Sequence, residues 1–195
     1  MPIGTSKTSI CDRALQLLGM AAVSAVPQVG SRGAKAMERA YRPVLLSELQ
    51  KNYWHFAIKR ASLAASSTKP VHTKGNAYPL PADYLMLAPE DQDSDFPLKN
   101  DWIMEGGSII TDEDGLLAIR YVSSDITEPM FDATFAEALS AALAMEVCEE
   151  LTNSNSKLSN LAAMYDEKIA LARKRGFILI QKPRVPISPW ISMRG

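Results

Sequence analysis

Residues 53–65 read YWHFAIKRASLAA and mark the point where a helical pattern changes to an extended one. The stretch holds three aromatic rings, one of the two histidines and two cations within eight positions, in a chain that is 7% aromatic. Trp54 and Phe56 have the alternate spacing of one strand face, so both rings can anchor a β region against the preceding helices. His55 is then expected to point the other way, with the two cations at the strand end or at an interface.

Helical patterns lie on both sides of this stretch. Before it, the sequence predicts a helix over residues 9–19 and a second over 34–52, where Pro43 predicts a kink or a division into two shorter helices. After it, residues 133–151 are apolar on nearly every face and predict a central buried helix. An amphipathic helix over residues 158–176 follows.

The segment between the helices predicts a small β region. Residues 77–88 read AYPLPADYLMLA, and their prolines favour extended backbone followed by a turn. Three short apolar runs separated by glycine turns then predict an antiparallel meander. We therefore expect a mainly α fold of the α+β kind. In this prediction, a four-helix bundle forms one domain over residues 1–176 and carries a small antiparallel β insertion at about 54–123. An extended C-terminal arm is predicted over residues 177–195.

Composition and charge argue against several classes of protein. The chain has 195 residues, a net charge of −1 and a pI of about 6.1, so no overall charge attracts it to DNA or to an anionic membrane. No apolar run approaches the roughly 20 residues that span a bilayer. The first residues lack the pattern of a signal peptide, and Cys11 and Cys148 lie inside helical patterns, as reduced and buried thiols do. We expect a cytosolic protein, or one that is assembled in the cytosol.

No residue pattern predicts a catalytic, metal or cofactor site. His55 and His72 are isolated and the cysteines are far apart, so no ligand-spaced pair exists for a metal. Residues 30–33, GSRG, lack the strand and lysine of a phosphate loop. The carboxylate groups at 112–114 and 149–150 fit a turn and a helix end at the surface.

The order of several motifs is that of a known family. The motifs are ICDRALQLLG at 10–19, ELQKNYWHFAIKRASLA at 48–64, YPLPADYLML at 78–87, FAEALSAALAMEVCEELTNS at 135–154 and YDEKIALARK at 165–174. In this order they resemble the head-to-tail adaptor (connector) family of tailed bacteriophages, in particular the tail tubular proteins A of short-tailed phages. The resemblance covers the chain from about Thr8 to Lys174.

The resemblance also implies roles for individual residues. In that family a tryptophan, any residue and a phenylalanine follow the second helix and lead into a strand, and a proline then precedes an acidic residue and tyrosine-leucine. The matching residues are expected to form a structural junction between helices and β region: Trp54, Phe56, Pro81, Asp83 and Tyr84.

The function that the resemblance implies is structural. Such proteins form a ring, commonly of twelve copies, that docks beneath the portal protein of the filled head and above the tail nozzle protein. DNA passes through the lumen without sequence-specific binding, and the protein carries no reaction and no cofactor. Its expected location is the head–tail interface of the virion, after assembly in the host cytoplasm.

The C-terminal arm is the candidate partner-binding segment. From Arg173 to the end the chain carries six cations and no acidic side chain, interleaved with apolar residues that are unfavourable in water. We hypothesise that the arm binds the portal or a neighbouring subunit, the alternative being an arm folded back on its own domain. The residues proposed for this contact are Phe177, Ile178, Leu179, Ile180, Lys182, Arg184, Trp190 and Arg194.

The residues alone leave two other functions open. Arg32, Lys35, Arg39 and Arg42 recur at helical intervals, which suits a DNA-binding or DNA-packaging accessory protein whose binding weakens with salt. A hydrolase that attacks the cell wall through a carboxylate such as Glu149 is the third alternative.

Overall fold

The computed structural model of the protein describes residues 5–26, 31–70, 75–88 and 102–180, with the backbone alone for 177–180. Within these ranges the chain forms four α-helices: α1 (Lys7–Leu17), α2 (Arg32–Gln50), α3 (Ala133–Thr152) and α4 (Asn155–Ile180). The strands described are β1 (Ile58–Ala64), β2 (Asn76–Pro79), β3 (Tyr84–Leu87), β4 (Trp102–Glu105), β5 (Ser108–Thr111) and β6 (Leu116–Ser123). Short 3₁₀ helices precede β1 and α3, at His55–Ala57 and Glu128–Met130.

A capping box starts α1 earlier than the sequence pattern predicts. The Ser6 hydroxyl accepts a hydrogen bond from the backbone N–H of Ser9 at 3.1 Å, and the Ser9 hydroxyl accepts one from the backbone N–H of Ser6 at 2.9 Å. The two side chains thus satisfy N–H groups that the first helical turn leaves open. Ser9, at which the predicted helix begins, is therefore the third residue of the helix.

α2 is a single helix that passes through Pro43, so the predicted division into two helices is wrong. Pro43 is exposed, and water can therefore hydrate the carbonyl that loses its partner in the preceding turn. Ser31 caps the helix by accepting a hydrogen bond from the N–H of Ala34 at 3.1 Å. The opposite face is buried, and its largest side chains are Met37, Tyr41, Leu45 and Leu49.

α3 is the central helix, because α1, α2 and α4 all pack against it. Small buried side chains allow this close approach, among them Ala138, Ala141 and Ala144. The prediction of a central buried helix is confirmed. α3 ends where Asn153 adopts a left-handed conformation with φ of 49°, and its N–H bonds to the carbonyl of Glu149 at 3.1 Å.

α4 continues beyond its predicted stop at Gly176. A Cβ atom added to Gly176 would lie 3.7 Å from the Trp54 ring, so this glycine is a packing position within the helix rather than its end. The expected extended arm therefore does not begin at residue 177, because Phe177, Ile178, Leu179 and Ile180 have a helical backbone. The other proposed arm residues lie outside the described residues: Lys182, Arg184, Trp190 and Arg194.

The strands form two three-stranded antiparallel sheets, ordered β1–β6–β3 and β2–β5–β4. The predicted meander is wrong, since β5 and β6 are consecutive in sequence but belong to different sheets. The turn between them is held from β2, where the amide of Asn76 and the hydroxyl of Tyr78 donate to the carbonyl of Glu113 at 3.0 and 2.7 Å. After this turn, β6 pairs with β1 from Ala64↔Leu116 to Ile58↔Val122.

The protein is therefore an α+β fold, and the prediction of a four-helix bundle with a small β insertion is wrong. The inner faces of both sheets contribute to a core of their own, formed by Leu63, Tyr78, Ile109, Leu117, Ile119 and Tyr121. A second, larger core lies among the helices. Because the sheets bury apolar side chains against each other, the β region is a structural layer and not an appendage of the bundle.

Candidate functional site

Trp54 and Phe56 lie at the junction between helices and sheets, but not on a strand. Residues His55–Ala57 form a 3₁₀ turn that brings both rings into the helical core, with Trp54 1% and Phe56 8% exposed. Their ring centroids are 6.1 Å apart with planes at 18°, and Phe135 of α3 meets Trp54 edge-on at 4.7 Å. The predicted alternation on one strand face is wrong, because the tighter turn replaces it.

Glu48, near the end of α2, is a buried acidic residue that contacts Trp54 through its backbone. The indole N–H of Trp54 donates to the backbone carbonyl of Glu48 at 2.9 Å. The Glu48 side chain, only 3% exposed, accepts from Lys51 at 2.6 Å and from the hydroxyl of Tyr165 at 2.9 and 3.1 Å. This network joins the end of α2 to α4, and burial of a charge is tolerated because its lone pairs are matched.

The sequence reasoning missed Glu48, although a signal was present. Glu48 follows Tyr41 by seven residues and Leu45 by three, which places it on the buried face of α2. Its neighbour Lys51 is affected in turn: burial lowers the pKa of Lys51, but hydrogen bonds with Glu48 and Tyr165 outweigh burial and raise it. A charged residue in an apolar stripe indicates a buried pair of this kind.

Pro81, Asp83 and Tyr84 form the turn that leads into β3. The backbone N–H of Tyr84 donates to the carbonyl of Pro81 at 3.0 Å, and the N–H of Ser124 donates to the carbonyl of Asp83 at 2.7 Å. The Tyr84 hydroxyl reaches the sulfur of Met104 at 3.6 Å, which connects the first sheet to β4 of the second. These residues thus tie the two sheets to each other.

The Asp83 carboxylate is the polar centre of this turn. It accepts hydrogen bonds from the Ser123 hydroxyl at 2.6 Å, the Lys59 ammonium at 2.9 Å and the Tyr121 hydroxyl at 3.0 Å. The Ser123 hydroxyl lowers the pKa of Asp83 to about 2, together with Lys59 and Tyr121 and against the opposing effect of burial. The ionised form therefore holds β1, β3 and β6 together.

Replacing Asp83 with asparagine is expected to lower the free energy of unfolding at pH 7 by about 1–2 kcal/mol. Because the pKa of folded Asp83 lies below its ordinary value of 3.8, its stabilisation is complete above about pH 4 and is lost as the pH falls towards 2. Asp83→Asn should therefore flatten the pH dependence of urea unfolding between pH 4 and 2. The control Asp125→Asn changes an exposed partner of Lys59 and should cost less than about 0.5 kcal/mol. An unchanged pH profile in Asp83→Asn would contradict this role.

The arginine face of α2 is engaged within the chain. Arg32 donates to the backbone carbonyl of Glu150, and Arg39 pairs with the carboxylate of the same residue at 2.6 Å. Arg42 donates to the carbonyl of Ser124 at 3.2 Å. Three of the four cations on which the DNA-binding alternative rests thus serve contacts between α2 and the rest of the fold, and Lys35, the fourth, is exposed.

A cavity of about 430 Å³ opens between α2, α3 and α4. Lys51 and the buried Glu48 lie at its wall beside Tyr165, and Glu146 and Glu149 of α3 line its rim. Three of its polar lining residues, Glu48, Lys51 and Tyr165, are the members of the network that joins α2 to α4, so structural contacts form this part of the wall.

The thiols are buried, as the sequence predicts. Burial raises the pKa of Cys11 to about 12, so this thiol is protonated at neutral pH. Among the described residues, no group of three or more histidine, cysteine, aspartate or glutamate side chains is arranged to hold a metal ion. Over the same ranges, no helix has the combined length and apolar character that crossing a bilayer requires.

The exposed surface of β4 is the feature that the sequence reasoning missed. Trp102, Ile103 and Met104 follow one another and are 40%, 49% and 42% exposed. β4 pairs with β5 on one side, and no other strand of the described ranges pairs with its outer edge. We call Trp102–Glu105 with this outer edge the apolar edge. Apolar side chains beside an open backbone edge are typical of surfaces that another chain covers.

No protein-family model matches this chain, and no curated protein matches it either. The resemblance to the phage adaptor family therefore rests on the motifs quoted from the sequence. The described geometry is that of an α+β domain with two hydrogen-bonded networks and an exposed apolar strand edge. One network holds β1, β3 and β6 together through Asp83, and the other joins α2 to α4 through Glu48.

Proposed function

We propose that this protein is a structural virion component, a head-to-tail adaptor. Copies of the chain form a ring that joins the portal protein to the tail nozzle protein and leaves a channel for DNA. The order of motifs supports this proposal, and the observation that carries it is the apolar edge.

The apolar edge supports assembly for a physical reason. An edge strand of an isolated domain exposes unpaired N–H and C=O groups, and natural proteins usually protect such edges with charges, prolines or bulges. Here three large exposed apolar side chains precede the single charge, Glu105, on the edge strand. In a ring of identical subunits, each copy offers one surface to the next through a heterologous contact, and the edge of every copy is covered when the ring closes.

The two networks suit a rigid structural subunit that keeps its binding surfaces in a fixed arrangement and performs no reaction. Asp83 fixes three strands to one another, and Glu48 fixes the end of α2 to α4 beside the Trp54 ring. A ring between two larger assemblies requires the surfaces above and below to keep a fixed relation. Within each subunit, these two networks hold the secondary-structure elements in that fixed relation.

The charge distribution suits a channel through which DNA passes without sequence-specific binding. The net charge is −1, and Arg32, Arg39 and Arg42 already contact Glu150 or Ser124. Tight phosphate binding would hold DNA in place, and its strength would depend on free cations. The DNA-packaging alternative would show itself as salt-dependent binding of the isolated protein to duplex DNA.

A native mass measurement of the protein with purified portal protein tests the proposal. We expect a defined number of adaptor copies on each portal assembly. The chain truncated after Ile180 enters the same measurement, because the segment beyond it carries the remaining predicted partner-binding residues.

A further inference from the structure

We propose that the apolar edge receives residues 190–194 of a neighbouring copy as an added β-strand. This inference rests on the proposed ring and names the partner of its exposed strand. Strand addition uses backbone hydrogen bonds for affinity and alternate side chains for specificity. Such an addition requires an edge with open hydrogen-bond donors, a segment that can adopt an extended backbone, and complementary charge.

The hairpin geometry shows which backbone groups the edge offers. Gly106 and Gly107 both have positive φ, 56° and 75°, as a two-residue type I′ turn requires. In such a hairpin the residues that flank the turn exchange both hydrogen bonds, and the pairs alternate from there. Ile103 therefore bonds inward to its partner on β5, whereas the N–H and C=O groups of Trp102 and Met104 point outward.

The C-terminal segment has a sequence that fits this edge. Residues 181–195 read QKPRVPISPWISMRG, with prolines at 183, 186 and 189 that oppose a helix and favour extended backbone. After the last proline, residues 190–194 read WISMR and keep every N–H, over a length similar to the four residues of β4. Isoleucine and tryptophan are residues that strands favour.

Charge is complementary between the two surfaces. Residues 181–195 carry Lys182, Arg184 and Arg194 and no acidic side chain. The β4–β5 hairpin carries Glu105 at one end and Asp112 at the other, next to the residue that pairs with the start of β4. The Asp112 carboxylate lies beside Gly75 on the β2 side of β5, so Glu105 is the one of the two that an added strand can meet. An added strand that runs parallel to β4 brings Arg194 near Glu105. Such rim charges guide the encounter and set the register.

A peptide titration tests the strand addition. A fluorescent peptide of residues 181–195 is added to the full chain, and we expect saturable binding. Met104→Pro removes an outward N–H and should weaken binding at least about tenfold, whereas Met104→Val keeps the N–H and should change it less than about threefold. Absence of saturable binding, or equal binding to both variants, would overturn the proposal. Thermal unfolding of both variants checks that the hairpin still folds.

A change in the peptide provides a second test that leaves the protein untouched. Replacing Trp190 of the peptide with alanine removes the largest apolar side chain of the segment and should weaken binding about tenfold or more. Equal binding of both peptides would contradict the assignment of residues 190–194 to the edge.

Mixing two full-length variants distinguishes a neighbouring copy from the same copy. The Met104→Pro chain keeps its donor segment, and the Trp190→Ala chain keeps its acceptor edge. Above the dissociation constant of the peptide, the mixture should form one-to-one complexes that neither variant forms alone. A mixture that stays monomeric would overturn the exchange between copies. If the peptide fails to bind but rings still form on the portal, the strand addition is wrong and the proposed function stands.

Discussion

Replacing Trp54 with alanine is expected to lower the free energy of unfolding by about 3–5 kcal/mol, the range for a large aromatic side chain removed from a core. The ring is 1% exposed and contacts Phe56 and Phe135. Its N–H also holds the last turn of α2 through Glu48. The change therefore leaves a cavity at the point where α2, α3 and α4 meet, and urea unfolding measures the loss.

Tyr53→Ala provides the matched control for this prediction. Tyr53 is the neighbouring aromatic residue and is 37% exposed, so its loss should cost less than about 1 kcal/mol. If Trp54→Ala left stability intact and abolished attachment to the portal, Trp54 would be an interface residue and the junction role would be wrong.

Lys51→Met is expected to lower the free energy of unfolding by about 2–3 kcal/mol. Removing one member of a buried ion pair leaves the other charge without compensation, which costs about 3–5 kcal/mol when both are buried. Lys51 is 40% exposed while Glu48 is 3% exposed, so water replaces part of the lost contact and reduces the cost. Tyr165 remains as a donor to the carboxylate.

Lys7→Met is the control for Lys51→Met. It removes an ion pair with the same N···O distance but an exposed carboxylate, and so separates the effect of burial from that of distance. Lys7 and Glu38 are also 2.6 Å apart, and Lys7 lies over the Tyr41 ring at 5.3 Å, as Lys51 lies over a tyrosine ring at 5.1 Å. The Glu38 side chain is 40% exposed, however, and a surface pair of this kind contributes at most about 1 kcal/mol. Equal losses in the two variants would contradict the role of burial.

The helices could be predicted from the sequence because their signals are local. The apolar residues of α2 repeat at helical spacing and those of α3 cover nearly every face of a long alanine-rich run, and both helices end within two residues of their predicted bounds. The stop at Gly176 was wrong because glycine also occurs where a large ring packs closely, as the Trp54 ring does here.

The sheets could not be predicted in the same way, because strand pairing is not local. β4, β5 and β6 follow one another with short turns, which favours a meander. β6 instead pairs with β1 over seven positions, and no local pattern in either strand indicates that register. The two cores follow from this pairing.

Some residues of the candidate site could be predicted from the sequence and others could not. Trp54 and Asp83 were expected at the junction through the resemblance, and the structure places Trp54 in the helical core and Asp83 at the centre of a turn. Glu48 was missed because an acidic residue is ordinarily taken as solvated. The exposure of Ile103 was missed because apolar strand residues are ordinarily buried, and only the sheet order shows that β4 lies at an edge.

The proposal that this protein is a ring-forming adaptor is tested most directly by native mass measurement of the protein alone and with a purified portal protein. We predict a defined complex in which several adaptor copies, commonly twelve in the family it resembles, join each portal assembly. Truncation after Ile180 should reduce the number of bound copies. A protein that stays monomeric and forms no complex with the portal at any ratio would contradict the account.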